Sequence, residues 1–463
     1  MFNYFTTLIE FTKLLIFFRQ ELWNINDLDN YFIDTNNVDS FQKKVISYGI
    51  ICIKICQWIS QRVDILGKNT IKTLEFFQKS VPAHSNLFDK DSPLKLGLNT
   101  KFSYIDNVCI GSGSISQVHK CISIDNIHGV IKITHPNVKE NIDKNIDWFT
   151  AIVPIINIVY PPTNILNLNQ MISTIKIQID YSFEVKNQIL LKQILSKLEF
   201  VIVPEVYDYT DNYIFQEMCC GLSRQEIEES YPEYLIDMAQ KTQAAYFWMT
   251  YCGYIHTDLH DGNVFYHIDS EDDSKNKIII VDFGLVFELD EKKESSLHIK
   301  NFRYMSQKNN EGLQLMIKES LDKFLYSEKE LQKIYSRINS LNLVDKDLKN
   351  MNMVEYADDI LNKLNETNAI LRTPELYCFL GLILVCREFR DNDGKPFDVL
   401  ISSMNLLLNS KDEEVAKYAK EVNSYISNIP SITTEAPNGK EFTLTAARVC
   451  LPMSPKILEI LSD

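Results

Sequence analysis

Asp258, Asn263 and Asp282 stand where polar side chains interrupt strongly apolar runs: YIHTDLHDGNVFYH is followed by IIIVDFGLVFEL. Asp258 and Asn263 fall in a polar turn between a helix-like and a strand-like stretch. Asp282 ends a short aliphatic strand just ahead of Phe283-Gly284. Phosphoryl transfer needs a carboxylate that orients the attacking group or accepts its proton, and two oxygen ligands that hold magnesium against nucleotide phosphates. The three side chains have the types and spacing for those tasks. A transition-metal site built on His256, Asp258, His260 and His267 competes for the same stretch. It leaves the apolar strand into Asp-Phe-Gly unexplained, and no further His or Cys has matching spacing. On the phosphoryl-transfer reading, His256 braces the loop structurally and His260 is its neighbour.

Upstream, GSGSISQVHK sets Gly111, Ser112, Gly113 and Ser114 between two predicted strands. Phosphates need backbone N–H donors at close range, and glycine permits both a turn and the approach. A strand rather than a helix should follow these glycines, which disfavours a dinucleotide-binding βαβ unit. In GVIKI, Lys132 interrupts an apolar strand. Below a glycine-rich turn its ammonium is predicted to face nucleotide phosphates rather than solvent. A half-buried ammonium wants a carboxylate, and Glu184 in QIDYSFEVKNQ is the candidate.

The elements that must position these residues follow from pattern. Residues up to about 100 read as helix, loop, then helix, with a long apolar-periodic stretch from Phe41 to about Leu66 and a second run ending at Val81-Pro82. From Phe102 short β-rich runs separated by Gly, Ser, Asp and Asn predict an antiparallel meander. HPNVKENIDKNIDWFTAIVPIINIVY and NLNQMISTIKIQIDYSFEVKNQILLKQIL read as helical, and FVIVPEVYDYTDNYIFQEM as strand–turn–strand. After Gly221 the chain reads as helical, broken by one β-rich segment between Gly253 and Phe287, with a long leucine-rich helical tail.

Composition sets outer bounds. The chain has 463 residues, 45% of them hydrophobic and 24% charged, as in folded globular proteins. A net charge of −15 without a basic patch argues against nucleic acid as a partner. Ten cysteines without a CxxC pair read as buried free thiols of a reducing compartment. The N-terminal MFNYFTTLIEFTKLLIFFRQEL is interrupted by Glu10 and Lys13 and holds no apolar run of bilayer length. It lacks the marks of a signal or transit peptide. It reads as a helix packed on the protein, with a helix lying in a membrane interface as the alternative.

Taken together, these motifs resemble the UbiB-like family of atypical protein kinases. IGSGSISQVHK is similar to that family's glycine/alanine-rich loop, and KICQWISQRVDIL to its signature Lys-x-Gly-Gln helix with the following Ser-x-Arg-x-Asp segment. THPNVKE, IDYSFEVKNQ, HTDLHDGN and LRTPELYCFLGLILVCREF extend the likeness from about Ile46 to Phe397. The resemblance implies that Lys54 and Gln57 belong to a helix packed over the active site. It further implies that Lys132 is the phosphate lysine with Glu184 its partner, Asp258 the catalytic-loop carboxylate, and Asn263 and Asp282 the magnesium ligands. Glu217 to Cys219 would be the hinge that meets adenine. Two positions depart from the family. Cys56 replaces the signature glycine, and Gln178 stands where a glutamate pairs with Asp180.

The expected fold is α+β: a two-lobed protein-kinase-like domain with a helical extension over residues 1–100, a small β-rich lobe over 101–220 and a large helical lobe over 221–463. The expected activity is that of an ATP- and Mg2+-dependent phosphotransferase or ATPase near lipid, isoprenoid or ubiquinone metabolism. The alternative is a nucleotide-sensing module without turnover. An intracellular location, cytoplasmic or peripheral to a membrane, goes with either.

Overall fold

The computed structural model describes residues 29–48, 50–60, 68–79, 97–136, 168–289, 309–343, 399–427, 432–435 and 441–444, with shorter stretches within 138–146, 299–303 and 360–385. The apolar N-terminal segment, Arg62 and Asp64 of the signature region, and much of LRTPELYCFLGLILVCREF lie outside the described residues. The chain forms two compact units: Met1–Val185 with Glu205–Met218, and Lys186–Pro204 with Cys219–Asp463.

Among the described residues, the first unit includes the helices α1 (Thr35–Tyr48), α2 (Ile50–Ser60) and α3 (Lys68–Lys79) ahead of its sheet. Asp34 caps α1 by accepting from the Asn36 N–H at 2.9 Å, and Asp29 accepts from the Thr70 N–H at 2.9 Å in the first turn of α3. Such caps each contribute about 1 kcal/mol. Phe32, Phe41 and Phe77 are buried and meet edge to face, a preferred geometry for ring quadrupoles.

A five-stranded antiparallel sheet follows. Its strands are β1 (Phe102–Ser112), β2 (Ser116–Ser123), β3 (His128–Thr134), β5 (Val206–Tyr209) and β6 (Tyr213–Glu217), in the order β1-β2-β3-β6-β5. The period of two explains how Lys132 is presented. Ile131 and Ile133 join Leu98, Phe102, Cys121, Tyr213 and Phe215 in a core on one face. Lys132 lies opposite Ile214 on the other face, where Tyr181 and Val185 pack. Gly129 is required by close approach, since a Cβ there would lie 2.5 Å from the Gln216 carbonyl oxygen.

NLNQMISTIKIQIDYSFEVKNQILLKQIL forms two helices, α4 (Leu168–Gln178) and α5 (Tyr181–Leu195). Asp180 restarts the chain: its Oδ1 accepts from the Ser182 N–H at 2.9 Å and from Ser182 Oγ at 2.6 Å. Asp180, expected to stand alone beside Gln178, is thus engaged as a helix cap. FVIVPEVYDYTDNYIFQEM also divides. Its first strand, β4 (Val201–Ile202), pairs in parallel with β9 (Lys277–Ile280) in the second unit, while β5 and β6 belong to the first.

The second unit is built on α7 (Leu235–Tyr251), buried along most of its length, preceded by α6 (Arg224–Ser230) with a Ser223–Glu226 capping box. The β-rich stretch expected between Gly253 and Phe287 forms two small sheets. β7 (Tyr254–His256) pairs with β10 (Val286–Glu288), and β8 (Val264–His267) with β9. Beyond them come α8 (Asn310–Glu319), α9 (Glu328–Ser340), α10 (Leu400–Leu408) and α11 (Glu413–Ser427). The tail read as helical also holds an antiparallel ribbon, β11 (Ile432–Glu435) with β12 (Glu441–Leu444), in which Thr433 is in register with Thr443. Among the described residues no helix is long and apolar enough to cross a membrane.

Candidate functional site

The first unit carries the glycine-rich turn and the lysine. Ser112 pairs with Gln117, so β1 and β2 close through a tight hairpin, and Gly113 N–H donates to the Ser116 carbonyl at 2.8 Å. Neither Gly111 nor Gly113 has positive φ, and a Cβ on Gly111 would meet nothing within 4 Å. The expectation that glycine serves the turn itself is therefore corrected: a Cβ on Gly113 would meet only the Ser116 carbonyl oxygen, at an ordinary 3.7 Å, and the hairpin needs positive φ at neither residue. His135 Nε2 contacts the Gly113 carbonyl at 2.9 Å, and its own N–H donates to the Ile115 carbonyl at 2.8 Å. Ser114 is buried at the tip, its Oγ 3.5 Å from Gln57 Oε1, at the outer limit of a hydrogen bond. Gln57 is fixed from α3, its Nε2 donating to the Phe77 carbonyl at 2.6 Å, and Lys54 lies half-buried one turn earlier on α2.

Lys132 Nζ and Glu184 Oε1 form an ion pair of 2.7 Å, with side chains 13% and 5% exposed. Lys132 Nζ also lies 5.9 Å from the centroid of the Tyr181 ring, within reach of a cation–π attraction. Burial pushes the Tyr181 hydroxyl up to about 12, so it stays protonated. Cys56 occupies α2 with no exposure, and burial holds its thiol well above the ordinary range. The side chain that stands where the family signature has glycine is absorbed into the core.

Glu217 closes β6: its N–H donates to the Glu205 carbonyl at 2.8 Å and its Oε2 accepts from the Glu205 N–H at 3.0 Å. The chain passes from the first unit to the second between Met218 and Cys219, and Cys219 is half-buried.

The second unit carries the carboxylates. Asn263 Nδ2 donates to the Asp258 carbonyl at 2.8 Å, which leaves Oδ1 as the end of the amide that a cation can use. Val281 N–H donates to the Asn263 carbonyl at 3.0 Å, bringing the start of β8 beside the end of β9 and hence Asn263 beside the segment of Asp282. The β8–β9 hairpin is held at its far end by Tyr266 and Lys241, both bonded to Asp237, and by Lys241 Nζ donating to the Asn276 carbonyl at 2.7 Å.

Two histidines brace the loop in the same manner. Asp258 N–H donates to His256 Nδ1 at 3.3 Å, and Gly262 N–H to His260 Nδ1 at 3.0 Å. His260 Nε2 lies 3.7 Å from Asp258 Oδ1 and 3.4 Å from Asn263 Nδ2. Gly262 must be small, because a Cβ would fall 2.9 Å from His260 Cε1. His256 is fully buried, with its ring centroid 5.4 Å from that of Phe283. Desolvation lowers its pKa below the ordinary 6.5 and keeps it neutral, against the opposing pull of Asp258 and Asp282. Asp282 has a φ of 61°, the left-handed region that non-glycine residues rarely enter. Its Oδ1 accepts from the Gly284 N–H at 3.3 Å, and Asn187 Nδ2 donates to the Phe283 carbonyl at 3.1 Å. Among the described residues no three His, Cys, Asp or Glu side chains gather as a metal cage.

The sequence reading missed Tyr181, His135 and Asn187. Helical spacing carried a signal for two of them, since Tyr181 and Asn187 stand three residues either side of Glu184 and so share its face. Nothing local distinguishes His135.

Comparison with known proteins fits this architecture. A family model described as the ABC1 atypical kinase-like domain matches residues 83–316, half of the chain. The chain belongs to the ABC1 atypical kinase-like family. The UbiB-type likeness read from its motifs falls within that family, and a two-lobed α+β kinase-like fold comes with it.

Two curated relatives show the degree of similarity. A putative ABC transporter of Paramecium bursaria Chlorella virus 1 is 25% identical over 263 residues, covering 55% of this chain and 52% of that protein. A probable protein kinase UbiB of Xylella fastidiosa (strain M23) is 22% identical over 256 residues, covering 53% and 46%. The chain spans about half the length of these curated relatives. Among solved structures, the complex of Rv3197 with erythromycin from Mycobacterium tuberculosis is similar over 68% of this chain and 85% of that one. The identity there is 17% and the TM-score 0.40.

Proposed function

We propose that this ABC1-family chain binds ATP with magnesium and acts as an atypical kinase, transferring the γ-phosphoryl group or hydrolysing it. The single observation that carries the proposal is the buried Lys132–Glu184 pair at 2.7 Å. A lysine held by a carboxylate on a helix, in a strand beside a glycine-rich hairpin, is the arrangement by which kinases grip nucleotide phosphates. The second unit supports the same reading. Magnesium is a hard cation that takes one or two side-chain oxygens and completes its shell with phosphates and water. Asn263 with its nitrogen tied back, and Asp282, offer such oxygens. Asp258 would orient the attacking group, with His256 and His260 setting its loop.

Lys54 and Gln57 would lie toward the nucleotide through the glycine-rich turn, and Gly111, Ser112 and Ser114 would line its phosphates. Gly113 contributes less than its neighbours, because its N–H is already spent on Ser116. Glu217 to Cys219 would meet the adenine through backbone groups. The family resemblance extends the proposal to an acceptor or partner in lipid, isoprenoid or ubiquinone-related metabolism, reached at a membrane surface.

One observation favours a second reading, nucleotide sensing without turnover. The hairpin tip is buried, with Ser114 against Gln57, and a covered tip suits retention of nucleotide better than exchange.

The test is calorimetry of ATP binding with magnesium, followed by hydrolysis assays with and without liposomes. The parent chain should bind, and Asp282→Ala should lose the magnesium-dependent part of the affinity. Equal Mg-ATP affinity in the parent and Asp282→Ala would remove the mechanism. Binding with no turnover under either condition would select the sensing role.

A further inference from the structure

Asp282 is the one proposed ligand whose backbone is strained. A non-glycine residue at φ 61° costs about 1 kcal/mol or more relative to ordinary conformations, and persists only where its surroundings impose it. Those surroundings can be named. Val281 is tied to Asn263 through its N–H, Phe283 has no exposure and lies against His256, and Thr257 N–H donates to the Leu285 carbonyl at 2.9 Å. These restraints come from the two sheets and the loop that surround the Asp-Phe-Gly segment. Asn187 is different: it reaches Phe283 from a helix, is itself 7% exposed, and binds the carbonyl of the residue directly after Asp282.

We propose that Asn187 is a positioning residue for the magnesium ligand. By donating to the Phe283 carbonyl it fixes the Phe283–Gly284 peptide plane, whose Gly284 N–H donates to Asp282 Oδ1 at 3.3 Å, and so holds the Asp282 carboxylate in its cation-binding direction. The proposal rests on the ATP- and magnesium-binding reading above. It also assigns α5 two tasks, because Glu184 on that helix grips Lys132 and Asn187, one turn on, grips Phe283. Neither task requires Asn187 to touch nucleotide or metal.

The adjacent residue supplies a matched control. Gln188 is also a buried amide on α5, and its Nε2 donates to the Pro204 carbonyl at 3.0 Å. Both bonds run from a buried side-chain amide to a backbone oxygen. Their loss should cost comparable stability, yet only the Asn187 bond adjoins Asp282.

The experiment titrates magnesium chloride into full-length protein at fixed ATP, reading ATP binding by calorimetry, for the parent, Asn187→Leu and Gln188→Leu, with melting temperatures alongside. Loss of one neutral hydrogen bond corresponds to about a five- to tenfold change in an equilibrium constant. Asn187→Leu should raise the magnesium concentration needed for half-maximal binding by about that factor and leave metal-free ATP binding in EDTA unchanged. Gln188→Leu should lower the melting temperature similarly without moving the magnesium requirement. Should Asn187→Leu fail to fold, Asn187→Ser removes the same bond with less bulk and carries the same expectation. An unmoved magnesium requirement in the folded Asn187 variant, or an equal shift in both variants, overturns the assignment. If the parent shows no magnesium-dependent ATP binding at all, the functional reading itself has failed, which is a separate result.

Discussion

Replacing Lys132 by methionine tests the buried ion pair most directly, because it removes the charge while keeping most of the stem. Glu184 is 5% exposed and lies 2.7 Å from the ammonium. Taking away one member of such a pair leaves a desolvated charge and costs about 3–5 kcal/mol, whereas replacing both by apolar groups of similar size is often nearly neutral. The exposures make the effect asymmetric. Lys132, 13% exposed on a flexible stem, can move toward water when its partner goes, but Glu184 on a helix cannot.

We therefore expect Lys132→Met to cost about 3 kcal/mol, Glu184→Leu about 2, and the double variant about 1 or less. The coupling across the cycle is then about 4 kcal/mol. Urea unfolding gives the energies, and hydrogen exchange on peptides covering His128–Thr134 shows where the loss falls. Both residues belong to the first unit, so protection of α7 in the second should hardly change. Single variants that each cost under about 1 kcal/mol, or a double variant equal to the sum of the two, would refute the claim that burial makes this pair tightly coupled.

Two further outcomes follow from the same physics. Cys56→Gly restores the residue the family signature leads one to expect, yet should destabilise by about 2 kcal/mol: about 1 from glycine in a helix interior and about 1 from the cavity left by a fully buried side chain. A thermal melt that rises or stays level would show that α2 tolerates the gap. His256 is neutral and its pKa is lowered by burial, so the unfolded chain takes up the proton more readily than the folded one. Its contribution is full above about 6.5 and is lost as pH falls below that value. His256→Asn, whose Oδ1 can still accept from Asp258 N–H, should flatten the acid limb of a stability–pH curve, and an unchanged limb would assign the acid sensitivity elsewhere.

Sequence alone determined the kinds of groups and their order. The glycine-rich turn between strands, a lysine in an apolar strand, and Asp258, Asn263 and Asp282 around a short strand are local patterns, set by residue type and by periods of two and 3.6. The same local logic led astray where a distant partner decides the outcome. Val201–Ile202 reads like its neighbours, but its ladder partner is β9, some 75 residues further along. Gly111 and Gly113 look like conformational necessities, yet neither has positive φ and a Cβ at either would meet no close neighbour.

Which of the polar residues are held, and by what, depends on contacts made across the folded chain. Asp258 and Asn263 are ordered by two histidine rings and one carbonyl. Asp282 takes a left-handed conformation with its Oδ1 accepting from the Gly284 N–H, and the carbonyl of the next residue is tied by Asn187, which is distant in sequence. Composition and spacing fix which atoms a chain can offer. Orientation comes from hydrogen bonds closed across long loops, whose partners no local window contains.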